Sequence, residues 1–180
     1  MNIVCVFLGS LSLAGPRQAA KNAKMGHVRI AFGTDERTPV TDAMQRWLSD
    51  AGHEAVVVTQ GDPWTHVGHA VGRAVATGAA DRGVVCCWTG TGVSIAANKE
   101  PGVRAALCTD AETARGARRW NDANVLAIGL RLTSEVVATE LLAAFLDTDV
   151  DHPERATIAD VEPGSARGPA QSRGRFTSTS

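Results

Sequence analysis

The chain carries almost no excess of charge of either sign. Its 18 Lys and Arg against 19 Asp and Glu leave a formal net charge of −1 over 180 residues. That balance offers no electrostatic footprint for a polyanion, so no nucleic-acid partner is expected. Long apolar runs are missing too: none reaches the roughly 18 residues that a membrane span requires, and no membrane association is expected. The four cysteines (Cys5, Cys86, Cys87 and Cys108) lack paired metal-ligand spacing, and no His/carboxylate cluster is spaced to hold an ion. No metal and no other cofactor is expected, and free thiols fit a reducing cytoplasm. The Gly-Lys-Ser/Thr of a P-loop and the three-glycine dinucleotide fingerprint are both absent.

What remains is ordinary for a soluble globular protein, with 44% hydrophobic and 21% charged residues in a length suited to one domain. Residues 3–15 are apolar enough to suggest a signal segment but lack the basic stretch that would precede one. Met25 stands directly before the strand-like run 27–32, so residues 1–24 read as an extension upstream of the natural start, with a weak export signal as the alternative. Residues 161–180 are rich in Gly, Ser, Pro and Arg without apolar periodicity, and read as a disordered tail. The domain is therefore expected over 25–160.

Within it, strand and helix patterns alternate. Short strands are expected at 28–32, 53–59, 83–87, 103–108 and 125–129, and helices at 39–51, 65–77, 93–99, 110–121 and 134–146. Gly52 and Gly78 stand where helix C-caps belong. The run at 83–87 is apolar on both faces, as in a central parallel strand covered on each side. Adjacent Cys86 and Cys87 therefore point to opposite faces. The pattern predicts a single-domain α/β fold: a doubly wound, Rossmann-like parallel sheet of about five strands with helices on both faces.

In such sheets ligands sit at the carboxyl ends of the strands. Trp88-Thr89-Gly90-Thr91-Gly92 follows the most apolar strand and precedes a helix. Gly90 and Gly92 leave backbone N–H groups free to converge on an anion, beside the positive end of the helix. The alternative is a tight connection with no ligand. Cys87 ends the strand at the mouth of that loop, where a thiolate would be stabilised; the alternative is a small buried apolar residue. Cys86 and Cys108 read as packing residues.

The run Cys87-Trp88-Thr89-Gly90-Thr91-Gly92-Val93-Ser94-Ile95-Ala96-Ala97-Asn98-Lys99 closely resembles the signature loop of type B ribose-5-phosphate isomerases and the related galactose-6-phosphate isomerase subunits. Pro101 to Cys108 and Asn121 to Arg131 resemble the two blocks that follow it, and the likeness spans about 29–146. The resemblance implies an aldose–ketose isomerase in which Cys87 moves a proton between C1 and C2 through a cis-enediolate. Thr89 and the amides of Gly90 and Gly92 would stabilise the enediolate oxygen, with Thr91 in the same anion loop. It further implies that Asn121 binds a substrate oxygen and Arg131 a phosphate, against an alternative in which Arg131 closes a surface ion pair. Sites at a homodimer interface follow from the same resemblance, making the protein a dimer or tetramer whose partner is a small sugar phosphate.

Three positions depart from the family. Asp35-Glu36 stands for its Asp-His pair, Trp120 for the histidine assigned to ring opening, and Trp88 for a glycine. The two indoles could stack on a sugar or nucleobase face, and Glu36 would repel a phosphate. Arg155 aligns with a basic phosphate ligand. His66 either acts in ring opening or caps its helix. Alternatives to a sugar-phosphate isomerase are an isomerase of an unphosphorylated or modified sugar, with Glu36 accepting hydrogen bonds from hydroxyls, and a non-catalytic sugar-phosphate-binding subunit.

Overall fold

Residues 26–162 are described by a computed structural model of the protein. The expected extension, Met25 and the tail beyond Glu162 lie outside the described residues. Five strands, β1 (Arg29–Thr34), β2 (Glu54–Gln60), β3 (Arg82–Cys87), β4 (Ala105–Leu107) and β5 (Val125–Gly129), form one sheet in the order β2-β1-β3-β5-β4, with every pair parallel. The helices are α1 (Pro39–Asp50), α2 (Trp64–Ala76), α3 (Thr91–Ala97), α4 (Ala111–Asn121), α5 (Glu135–Leu146) and a short α6 (Arg155–Ala159) after a 3-10 turn at His152–Glu154.

Strand alternation assigns each residue its layer. Ile30, Phe32, Val84, Cys86, Leu126 and Ile128 pack under α1, α4 and α5, with Met44, Leu48, Leu141 and Phe145 supplying the opposing faces. Ala31, Val85, Cys87, Val125 and Ala127 face α2 and α3, whose Val67, Val71, Val93 and Ala97 complete a second cluster. This is the doubly wound, Rossmann-like sheet expected from the sequence. Full burial of a side chain such as Phe32 or Leu126 contributes about 2 kcal/mol. No helix of the described residues is long and apolar enough to cross a membrane.

Local chemistry sets the helix ends. Thr38 begins α1 with a capping box, exchanging hydrogen bonds with Thr41, and Pro39 occupies the first turn. Asp110 and Ser134 cap α4 and α5 through the amides of Thr113 and Val137. Gly52 (φ +82°) and Gly78 (φ +74°) turn the chain after α1 and α2, as their positions predicted.

Most boundaries shift by a residue from the sequence reading, and a few by more. β1 runs on through Gly33 and Thr34, because a strand paired on both sides keeps its ladder: Thr34 is opposite Gln60 and Cys86. β4 is shorter at its start, since the Arg104 amide donates to the Asn124 side chain (2.8 Å). α3 starts at Thr91 instead of 93, which places Gly92 within the first helical turn. The turn and helix at 152–159 carried too weak a pattern to predict. Val161 and Glu162, assigned to the tail, are described, and Glu162 accepts a hydrogen bond from Arg104 (2.7 Å).

Candidate active site

Because the sheet is parallel, its carboxyl edge gathers the ends of all five strands. Thr34 is level with Cys86, and Cys87 with Gly129. Asp35, the next residue of its chain, leaves β1 at the same edge, and its N–H donates to the Cys86 carbonyl (3.2 Å). On the other flank the amides of Leu130 and Arg131 donate to the carbonyls of Cys87 (2.9 Å) and Trp88 (3.0 Å). The loop after Cys87 is therefore stitched to the exit of β5, with Arg131 beside Trp88.

Cys87 belongs to the apolar cluster under α2 and α3 and is 5% exposed, yet its sulfur accepts a hydrogen bond from the Gly90 N–H at 3.2 Å. The other two described cysteines differ in polarity. Cys108 Sγ donates to the Ala106 carbonyl (3.6 Å), and burial, with help from the Asp110 charge, pushes its thiol up to about 11. Burial pushes the Cys86 thiol up as well, reinforced by Cys87 and Asp35. Only Cys87, among these three, has an N–H aimed at sulfur.

The glycines are required by packing as well as by any ligand. Gly90 sits at φ +75°, and a Cβ there would lie 2.8 Å from the backbone of both Ile128 and Gly129. A Cβ on Gly92 would meet the Trp64 indole at 2.8 Å. Trp64, half-exposed at the start of α2, thus covers the start of α3 and belongs to this edge. Sequence reasoning passed over it; the available signal was a bulky aromatic at the helix start preceding a glycine loop. α3 has no side-chain N-cap, so the first-turn amides of Thr91, Gly92 and Val93 are donors without an intrahelical acceptor. Thr89 and Thr91 share a hydroxyl hydrogen bond (2.7 Å) above them.

A 220 Å³ pocket opens at this edge, lined among others by Trp88, Thr89, Leu107, Arg131 and Leu132. Arg131 is exposed and makes no ion pair among the described residues. Asp35 Oδ1 is buried without a hydrogen-bond partner. Burial pushes the Asp35 carboxyl up, its own backbone N–H opposes this, and the charge of Glu36 adds to the rise. The Glu36 side chain is exposed, while its backbone exchanges hydrogen bonds with the Thr34 hydroxyl.

His66 does not cap α2: Pro63 holds the N-cap position, and the helix has no side-chain cap. Its Nδ1 lies 3.6 Å from Asp62 Oδ1. At 100° per residue, His66 is about 160° around the helix from Trp64, away from the face that meets α3.

Trp120 and Asn121 are elsewhere. They end α4, which starts at the carboxyl edge and runs back along the sheet for eleven residues, about 16 Å. Both are exposed and line a 610 Å³ groove at the amino edge, together with Asn98, Arg104, Ile158 and Glu162. Arg155, also exposed, stands at this end at the start of α6. The residues expected to share one pocket thus form two groups at opposite ends of the chain's own sheet: Asp35, Glu36, the 87–92 loop and Arg131 at one, Trp120, Asn121 and Arg155 at the other. Among the described residues, no group of three His, Cys, Asp or Glu is placed to hold a metal ion.

Comparisons with known proteins agree with this architecture. Residues 30–160 match the model of the Ribose/Galactose Isomerase family. The chain is 32% identical over 128 residues to a D-erythrulose-4-phosphate isomerase of Pectobacterium atrosepticum, covering 68% of this chain and 84% of that protein. It is 37% identical over 123 residues to the galactose-6-phosphate isomerase subunit LacB of Clostridium acetobutylicum, covering 66% and 71%. The type B ribose 5-phosphate isomerase of Trypanosoma brucei superposes with a TM-score of 0.69 at 33% identity, over 76% of this chain and 97% of that one. The chain is a member of the ribose/galactose isomerase family.

Proposed function

We propose that the protein is a cytoplasmic aldose–ketose isomerase of a sugar phosphate, with Cys87 as the base. The observation that carries this reading is the Gly90 N–H directed at Cys87 Sγ, 3.2 Å away, at the carboxyl edge. A donor so placed complements a thiolate. In the reaction the thiolate takes the proton from C2 of the aldose, the electron pair moves into the C1–C2 bond to give an enediolate, the O2 proton passes to O1, and the thiol returns its proton to C1 as the C2 carbonyl of the ketose forms. The negative charge grows on oxygen. The first-turn amides of α3 and the Thr89 hydroxyl are the donors for it, because the Gly90 amide is already engaged with sulfur.

Two copies complete each site in this reading. The Cys87 loop of one chain works with the Trp120–Asn121 corner of another, since about 16 Å of helix separates the two groups within one chain. Asn121 would bind a substrate oxygen, and Arg131 and Arg155, each exposed, would hold the phosphate by their forked donors. Asp35, with a buried oxygen lacking a partner, would accept a substrate hydroxyl.

A second reading of the substrate follows from Trp120. That position is the one the family resemblance assigns to ring opening, and an indole transfers no proton there. A tetrose 4-phosphate needs no such step, since its esterified O4 cannot close a five-membered ring. One of the relatives is named for a four-carbon ketose phosphate.

Proton NMR in heavy water tests both readings with erythrose 4-phosphate, ribose 5-phosphate, allose 6-phosphate and free ribose. Ketose formation with deuterium at C1 or C2 supports the isomerase, and the member turned over fastest identifies the substrate class. Absence of exchange with every phosphate would remove the sugar-phosphate reading.

A further inference from the structure

Asp122 is the only non-glycine residue with positive φ among the described residues (φ 45°, ψ 43°), and it follows Asn121 directly. L-residues enter this region at a steric cost that Asp and Asn bear best. Two arginines hold the carboxylate there. Arg118, 2% exposed, donates to Oδ1 at 2.7 Å, and Arg104 donates to Oδ2 at 2.9 Å. Arg104 also donates through Nε to the Asp122 carbonyl (3.0 Å), and Arg118 to the carbonyls of Ala123 (2.6 Å) and Thr148 (3.1 Å). The Asn124 side chain ties the same turn to the Arg104 amide and the Gly102 carbonyl, each at 2.8 Å. A third cation, Arg82, is close enough to feel the charges of both Arg118 and Asp122.

The end of α4 is thus rigid on one side and open on the other. Trp120 and Asn121 face outward, exposed, and their neighbour is clamped by a buried charge. The indole is seated as well: a Cβ on Gly116 would come within 2.7 Å of the Trp120 ring, so the ring rests where that glycine leaves space. We infer that Asp122 is a positioning residue, whose left-handed turn and double arginine clamp fix the direction in which Asn121 presents its amide to the substrate. This rests on the reading of Asn121 as a substrate ligand. A side chain on a free helix end would sample several orientations, and a displacement near 1 Å can cost about 100-fold in rate.

A double-mutant cycle separates positioning from general support of the fold. Asp122→Gly keeps the left-handed backbone accessible and removes the clamp. The expected loss in kcat/KM is about 100-fold in the wild-type background. In the Asn121→Ala background the same substitution should cost no more than about twofold. Asp122→Asn, which tolerates the turn and keeps an acceptor for Arg118, should recover at least half of the loss on a logarithmic scale. Arg104→Met leaves the buried Arg118 paired and gives the same coupled loss, so it carries the cycle should Asp122→Gly fail to fold. An equal loss with and without Asn121 would overturn the positioning role while leaving the isomerase reading intact. Wild-type turnover by both Asn121→Ala and Cys87→Ala would overturn the assignment of the site to these two residues, and this role with it.

Discussion

The amide of Gly90 donates to the sulfur of Cys87 across 3.2 Å, closing a four-residue turn at the carboxyl end of β3. The same backbone that requires glycine, at φ +75° with no room for a Cβ, directs this N–H at the thiol. Cys86 and Cys108 are as well buried but meet no such donor.

The first prediction is an asymmetry between adjacent cysteines. Cys87→Ala or Cys87→Ser should lower kcat by about 1,000-fold, the scale of a removed general base, while the fold is kept at a cost of about 1–2 kcal/mol. Cys86→Ala should leave kcat unchanged and cost about 1 kcal/mol of stability as a small core deletion. Steady-state kinetics and thermal melts of the three variants check this.

Alkylation should follow the same division. Burial raises the thiols of Cys86 and Cys108, the latter to about 11, so both stay protonated and unreactive at pH 8. Peptide mass spectrometry after iodoacetamide should find Cys87 modified first among the three. Millimolar inorganic phosphate should slow that modification if the site holds a phosphate.

Gly92 and Trp64 form a testable pair. Gly92→Ala places a Cβ against the indole and should cost about 1–3 kcal/mol by overpacking. With Trp64→Ala in the background the clash is gone, and the same change should become neutral or favourable by up to about 1 kcal/mol, as alanine is the better helix residue. Chemical denaturation of the four proteins of the cycle measures the reversal of sign.

Asp35 sets a pH dependence of stability. Its carboxyl is raised in the folded state, chiefly by burial, so the folded protein binds this proton more tightly than the unfolded chain does. The contribution is then fully present below the ordinary value of 3.8 and is lost as pH rises through the folded-state value. Asp35→Asn removes the ionised form. Its melting temperature should exceed that of the wild type at pH 7, and the gap should close as the pH is lowered toward 4. A gap that widened on acidification would contradict the direction.

Much of this was legible in the sequence because the central strands are apolar on both faces. Val84, Val85, Cys86 and Cys87 read as a covered parallel strand, and period two placed the two thiols on opposite sides. The lateral order of strands was not legible. Val56, Val57 and Val58 lie in an expected strand, but β2 is an edge strand and leaves them part-exposed, since strand composition does not report how many neighbours a strand has. β4 was overdrawn because Arg104 gives its amide to a side chain in place of the ladder. The loop's anion-binding role rested on Gly90 and Gly92 together, whereas one amide serves the thiol and the other glycine makes room for Trp64. The separation of Asn121 from Cys87 was implicit in the length of α4, because a helix between parallel strands must return its end to the opposite edge. The clamp on Asp122 left only a faint trace, an Asp and an Asn at a helix end.

The most direct test of a site shared between copies is complementation. Cys87→Ala and Asn121→Ala proteins, each strongly impaired as purified, are mixed, unfolded and refolded together, and turnover of the preferred sugar phosphate is measured. If each site takes its thiol from one chain and its amide from another, random pairing in a dimer should restore about a quarter of wild-type activity. Activity no greater than the sum of the separate variants would contradict a site built from Cys87 of one copy and Asn121 of the next.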